Sequence, residues 1–172
     1  MEKNPILEFI ERLPFFKEFS DQEKAKLVDT PGIFEKYENG KTIVKEGELE
    51  AALFVILTGS IRFTKSIVAP VQEGHISLQE PQEIVIVELK AGSVFGEVSM
   101  LSNYPRKTNA YANSQQVVVM KITKEKIEKF NLAIQKKFQD QLILTLVQRL
   151  DDINKQFIQL KSSLEKNKTT PV

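Results

Sequence analysis

Between residues 33 and 122 the chain breaks into short runs rich in β-branched and aromatic residues, separated by glycines. No other feature restricts the fold as much. The runs cover 34–38, 42–45, 53–57, 60–64, 83–89 and 117–122. Each has the length and the residue types of a strand. Gly40, Gly47, Gly59 and Gly92 stand between them, at turn positions where a left-handed backbone penalises other residues. Regularly spaced short strands with glycine turns fold over themselves into a barrel or jelly roll.

The flanks change period. Over residues 5–30, Ile6, Leu7, Phe9, Ile10 and Leu13 precede Pro14, and Ser20 is placed to cap a second helix carrying Ala25, Leu27 and Val28. These apolar residues are expected to form a docking face. After the strands, Thr123 is placed to cap a short helix over 124–130, and a long helix is expected over 132–166, free of glycine and proline. The expected organisation is a helical segment over 1–32, a roll over 33–122, helices over 123–166 and a tail over 167–172 too polar to order itself. Residues 66–82, with Pro70, Gly74 and Pro81, read as an extended hairpin of unassigned role.

Within the long helix, Ile143, Leu146, Leu150, Ile153, Phe157, Leu160 and Leu164 recur at spacings of 3, 4, 3, 4, 3 and 4. That seam is narrower than packing on a globular core requires, and it suits a partner helix. The expected partner is the same helix of a second copy, in a parallel homodimer.

Several classes are disfavoured. Lys and Arg number 24 against 23 Asp and Glu, a net charge of +1, so no direct nucleic-acid partner is expected. There is no cysteine and the single histidine, His75, has no neighbouring ligand set. Metal-dependent catalysis on a β-roll needs clustered His and carboxylate groups, so an enzyme is not expected and no cofactor is implied. The N-terminus lacks the apolar run of a signal peptide and no stretch is long enough to insert in a membrane, so a cytoplasmic location is expected.

The chemistry concentrates in residues 95–112. Gly96 is followed at once by Glu97, then by a short amphipathic turn over 98–101, Pro105 and Arg106. This reads as a helix N-terminus with free N–H groups, an acceptor-only side chain beside it and a cation returned to the same place. Such a stretch fits a small anion that carries both a phosphate and hydroxyl groups. Taken alone, Glu97 and Arg106 would be read as an ion pair fixing a loop; beside Phe95, Gly96 and Pro105 the ligand reading is preferred.

At these residues the chain resembles the cyclic-nucleotide-binding domain family, which includes the catabolite activator protein, protein kinase A regulatory subunits and cyclic-nucleotide-gated channels. Phe95, Gly96, Glu97, Ser99, Leu101, Pro105 and Arg106 match the family's phosphate-binding cassette in order and spacing. Leu13, Pro14, Phe15 and Phe16, with Ser20 and Asp21, match what the family places before its roll, and the glycine spacing is similar. The resemblance spans roughly residues 10–165 and implies an eight-stranded β-roll followed by a long C-terminal helix.

The resemblance also implies a ligand, cyclic AMP or cyclic GMP, with a slight lean to cyclic AMP. Arg106 would hold the phosphate, backbone N–H groups near Gly96, Val98 and Ser99 its remaining oxygens, and Glu97 the ribose 2′-hydroxyl. Phe63, Ile86 and Leu89 would face the base and sugar. The family usually follows its arginine with a small residue; here Lys107, Thr108, Asn109 and Ala110 stand there. Lys107 would add a cation or point outward, and Thr108 offers a hydroxyl of the kind that favours guanine, one place late. In the family the C-terminal helix acts as a lid over the base, and Arg149, Asp152 and Asn154 lie where a base would be met from the same or the partner helix. The expected function is a sensor module that signals to an effector, either another protein or a further part of the same one, since this sequence carries no helix-turn-helix or kinase motif. The alternative is a ligand-free dimerisation scaffold on the same fold.

Overall fold

The structure, a computed structural model, describes residues 4–67 and 82–168. His75, Pro70, Gly74, Pro81 and most of the expected hairpin lie outside the described residues, as does the tail beyond residue 168.

Helix α1 (Pro5–Glu11) begins at Asn4, whose side chain accepts from the Ile6 amide at 3.0 Å. A single 3-10 turn, Pro14–Phe16, follows. Helix α2 (Asp21–Val28) is closed by a reciprocal cap: Ser20 Oγ accepts from the Glu23 amide and Glu23 accepts from the Ser20 amide. Next come eight strands, β1 (Phe34–Glu38), β2 (Thr42–Val44), β3 (Ala52–Thr58), β4 (Ser60–Ile67), β5 (Gln82–Lys90), β6 (Val94–Phe95), β7 (Asn109–Ala112) and β8 (Gln116–Thr123). Helix α3 (Glu97–Ser102) lies between β6 and β7; α4 (Lys124–Glu128) and α5 (Leu132–Lys168) complete the described chain.

The strands form two antiparallel four-stranded sheets, ordered β1-β8-β3-β6 and β2-β7-β4-β5. This is the expected mainly β architecture with flanking helices, an eight-stranded roll followed by a long helix. All six anticipated runs are strands; β6 and β7 carried no such pattern. The alternation along β3 separates two cores. Leu53 and Val55 face a cluster built with Ile10, Phe16, Phe19, Leu27, Ile134 and Phe138, so α1, α2 and the first part of α5 cover that sheet from outside. Ala52, Phe54 and Ile56 point into the roll with Ile61, Phe63, Phe95, Ala110 and Val119.

Helix α5 changes character along its length. Ile134, Phe138 and Leu142 are buried against the first cluster. Lys137 adds an ion pair to Glu23 of α2, 2.6 Å long. From Leu150 to Glu165 every residue is exposed, a projection of about 24 Å at 1.5 Å per residue. Among the described residues no helix is long and apolar enough to cross a membrane.

Candidate functional site

The turn from β6 into α3 is made by Gly96 at φ +92°. A Cβ there would run into the Ala52 carbonyl oxygen and stand 3.0 Å from Arg106 Nη1. Only glycine meets both demands, a left-handed backbone and close approach to a neighbouring strand. Preceding it, Phe95 is buried in the roll, stacked on Phe54 at 4.8 Å and edge-on to Phe63 at 5.0 Å.

Glu97, the first residue of α3, is 1% exposed. One carboxylate oxygen accepts from Arg149 Nη1, whose guanidinium also donates from Nη2 to the Val94 carbonyl. The other oxygen, Oε2, is buried and has no hydrogen-bond partner.

Arg106 returns to this turn from the far end of the cassette and is 5% exposed. Its backbone is clamped by Gly47 and Glu48, each through a 2.9 Å hydrogen bond. Its Nη2 donates to the Ala52 carbonyl at 3.0 Å and lies 3.8 Å from Glu50 Oε2, and its guanidinium stands 5.5 Å from the centre of the Phe54 ring. Nε has no partner. Burial pushes the guanidinium below its ordinary value, opposed by Glu50, Glu97 and Glu48. Glu50 is shared: its Oε1 pairs with Lys121 at 2.7 Å.

The roll thus brings Phe95, Gly96, Glu97 and Arg106 around one turn, with Ser99 buried one residue beyond Val98 on the same helix. Pro105 and Thr108 are half-buried, the latter just before β7. Phe63 is buried and Leu89 packs against the roll interior beside it. Val98 is 45% exposed on the outer side of α3, which leaves its backbone, the part expected to serve, at the turn. Lys107 is exposed, its ammonium over Tyr104 at 5.8 Å, so it points outward. Ile86 is 49% exposed and Val87 44%; β4 pairs Phe63 with Val87 and Thr64 with Val85, so Ile86 is the extra residue of a bulge.

Of the expected lid residues, Arg149 donates to Glu97 and to the Val94 carbonyl. Asp152 and Asn154 are exposed, and Asp152 pairs with Lys155 at 3.8 Å. Sequence reasoning missed Glu50, Lys121 and Phe54 as neighbours of Arg106, for which no local spacing offers a signal.

A separate cleft of about 500 Å³ lies between Thr42, Lys45, Glu46, Ser66, Glu83 and Tyr111. Its carboxylate Glu83 is already satisfied by Thr64, Asn109 and Tyr111. Among the described residues no group of three or more His, Asp or Glu could hold a metal ion.

A family model described as "Cyclic nucleotide-binding domain" matches residues 34–131, more than half of the chain. Human cGMP-dependent protein kinase 2 is 28% identical over 117 residues, covering 68% of this chain and 14% of the kinase. The chain therefore spans about one seventh of that relative's length. Among solved structures, the catabolite activator protein of Thermus thermophilus superposes with a TM-score of 0.63 at 23% identity, over 86% of this chain and 63% of the other. A regulatory subunit of a cAMP-independent protein kinase A from Trypanosoma brucei gives 0.63 at 21% identity, over 91% and 50%. At these identities the structural likeness speaks for the fold.

Proposed function

The chain belongs to the cyclic nucleotide-binding domain family, and on that premise we propose that it is a regulatory module that binds cyclic AMP or cyclic GMP at the Gly96 turn and acts through α5. It is a binding module, with no catalytic role assigned to any residue. One observation carries the reading: two buried polar atoms without hydrogen-bond partners, Glu97 Oε2 and Arg106 Nε, flank a single glycine turn. Buried orphans of this kind cost free energy and are found where a function uses them. A carboxylate oxygen accepts a hydroxyl and a guanidinium nitrogen donates to a phosphate, so a cyclic nucleotide supplies both complements in one molecule. Each charge-assisted bond formed contributes about 1.5–3 kcal/mol.

The effector contact and the dimer are assigned to the exposed half of α5. Ile143, Leu150, Ile153, Phe157, Leu160 and Leu164 are each more than half exposed, while Leu146 is half-buried. In a parallel pair of α5 helices the flanking positions would set Arg149 against Asn154 and Gln156 against Lys161, with no like-charge pair to oppose association.

One observation favours a second reading, a ligand-independent scaffold: Arg149 already neutralises Glu97 and Glu50 already faces Arg106, so the charges have partners within the chain. Titration calorimetry separates the two readings. The chain should bind cyclic AMP or cyclic GMP, and Arg106→Ala should abolish binding of both. Absence of binding by the unaltered chain would establish the scaffold.

A further inference from the structure

We propose that Lys121 is a positioning residue for the phosphate site: it holds the Glu50 carboxylate off Arg106 and so keeps the buried guanidinium open to the anion of a nucleotide. The inference rests on the nucleotide reading of the Gly96 turn.

Lys121 breaks the pattern of its own strand. Along β8, Val117 and Val119 are fully buried in the roll interior, and the next position on that face is Lys121. It stands opposite Phe54 of β3, which also points into the roll, and its ammonium lies 5.7 Å from the centre of that ring. The Arg106 guanidinium is 5.5 Å from the same ring. A lysine on an inward face costs desolvation that another valine would avoid. Burial works against its charge, and Glu50 followed by Glu35 outweighs that effect, holding the ammonium above its ordinary value.

Glu50 lies between two cations and is bound to one. Its Oε1 is 2.7 Å from Lys121 Nζ, a charge-assisted hydrogen bond; its Oε2 is 3.8 Å from Arg106 Nη2, too far for one. Glu35 of β1 adds a 3.5 Å contact that anchors the ammonium from the other side. On Arg106, Nη2 donates to the Ala52 carbonyl and Nε is buried without a partner. A carboxylate released from Lys121 would therefore have a guanidinium with an unused donor 3.8 Å away. Carboxylate and guanidinium favour a two-bond pair, and that pair would take the donors a phosphate needs. Lys121 prevents it and also offsets the negative charge of Glu50 where the phosphate would approach.

The test is calorimetry with cyclic AMP and with cyclic GMP on the full chain, on Lys121→Gln, Lys121→Arg and Glu50→Gln, and on the double variant Lys121→Gln with Glu50→Gln. Lys121→Gln should weaken binding by about tenfold, the effect of one competing charge-assisted hydrogen bond, and Lys121→Arg should recover most of that loss. Glu50→Gln removes the competitor and should bind at least as tightly as the unaltered chain. In its background the loss of Lys121 should change affinity by no more than about twofold. Circular dichroism checks that each variant folds; should Lys121→Gln not, Lys121→Met restores the apolar alternation of β8 and takes its place. A loss that persists undiminished beside Glu50→Gln would make Lys121 a direct attractor of phosphate or a brace of the roll, and overturns the proposal. Weaker binding by Glu50→Gln alone would make Glu50 an orienting partner of Arg106, which also overturns it. No binding by the unaltered chain would instead overturn the nucleotide reading itself.

Discussion

Arg106 Nη1 lies 3.0 Å from the point where a Cβ on Gly96 would stand. The cation and the glycine turn are therefore packed against each other, and the backbone of one leaves room for the side chain of the other. Gly96→Ala places that methyl against Arg106 and the Ala52 carbonyl and also forces alanine to φ +92°. The left-handed backbone alone costs about 1–2 kcal/mol. Chemical denaturation should show a loss of at least that size, and nucleotide binding should be lost with it.

Arg106→Met separates stability from binding. The guanidinium is buried with one nitrogen unpartnered, and its nearest carboxylate, Glu50, keeps Lys121 as a partner after the change. The change forfeits one hydrogen bond, Nη2 to the Ala52 carbonyl, but strands no buried carboxylate, because Glu50 is part-exposed and retains Lys121. The melting temperature is expected to hold within a few degrees, a change of about 1 kcal/mol or less, while calorimetry shows no nucleotide binding. A collapse in stability would mean that Arg106 is a structural strut.

Glu23→Gln should make stability less sensitive to acid. The Lys137 ammonium, followed by the Ser20 amide, holds the Glu23 carboxyl below the ordinary carboxylate range. A depressed folded value adds stability that is present above the unfolded value of about 4.3 and is lost as pH falls through the folded one. Loss of the ion pair and the weakened cap should cost about 1 kcal/mol at pH 7. The gap between the two proteins should narrow in melts below about pH 4.

Replacing Leu150 and Phe157 together by Asp places charges on two seam positions that are 58% and 64% exposed. Neither contacts the roll core, so folding should persist. Light scattering should report half the mass of the unaltered protein. An unchanged mass would assign the seam to something other than a second copy.

What could be read without coordinates was local. The six strand runs, the Ser20 and Thr123 caps and the extent of α5 all follow from residue period and capping chemistry within a few neighbours. The strands that escaped notice have no pattern of their own. β6 is two residues, Val94 and Phe95, held by Val55 and Phe54, and β7 contains two alanines that gain strand geometry from β2 on one side and β4 on the other. Ile86 is placed at the base and sugar by resemblance alone, and the bulge opposite Phe63 and Thr64 in which it stands depends on the pairing of β4 with β5.

The amino-acid order alone determined that a roll would form and that Gly96, Glu97 and Arg106 would sit on one short cassette, because glycine turns, strand periods and a nine-residue spacing act over short range. Only the tertiary structure decided what those charges meet. Arg149 came to Glu97 across 52 positions and Glu50 to Arg106 across 56, since an ion pair depends on where two backbones are brought and leaves no periodic trace in either segment. The same holds for the orphaned oxygen of Glu97: whether a carboxylate keeps a free lone pair depends on every element packed around it.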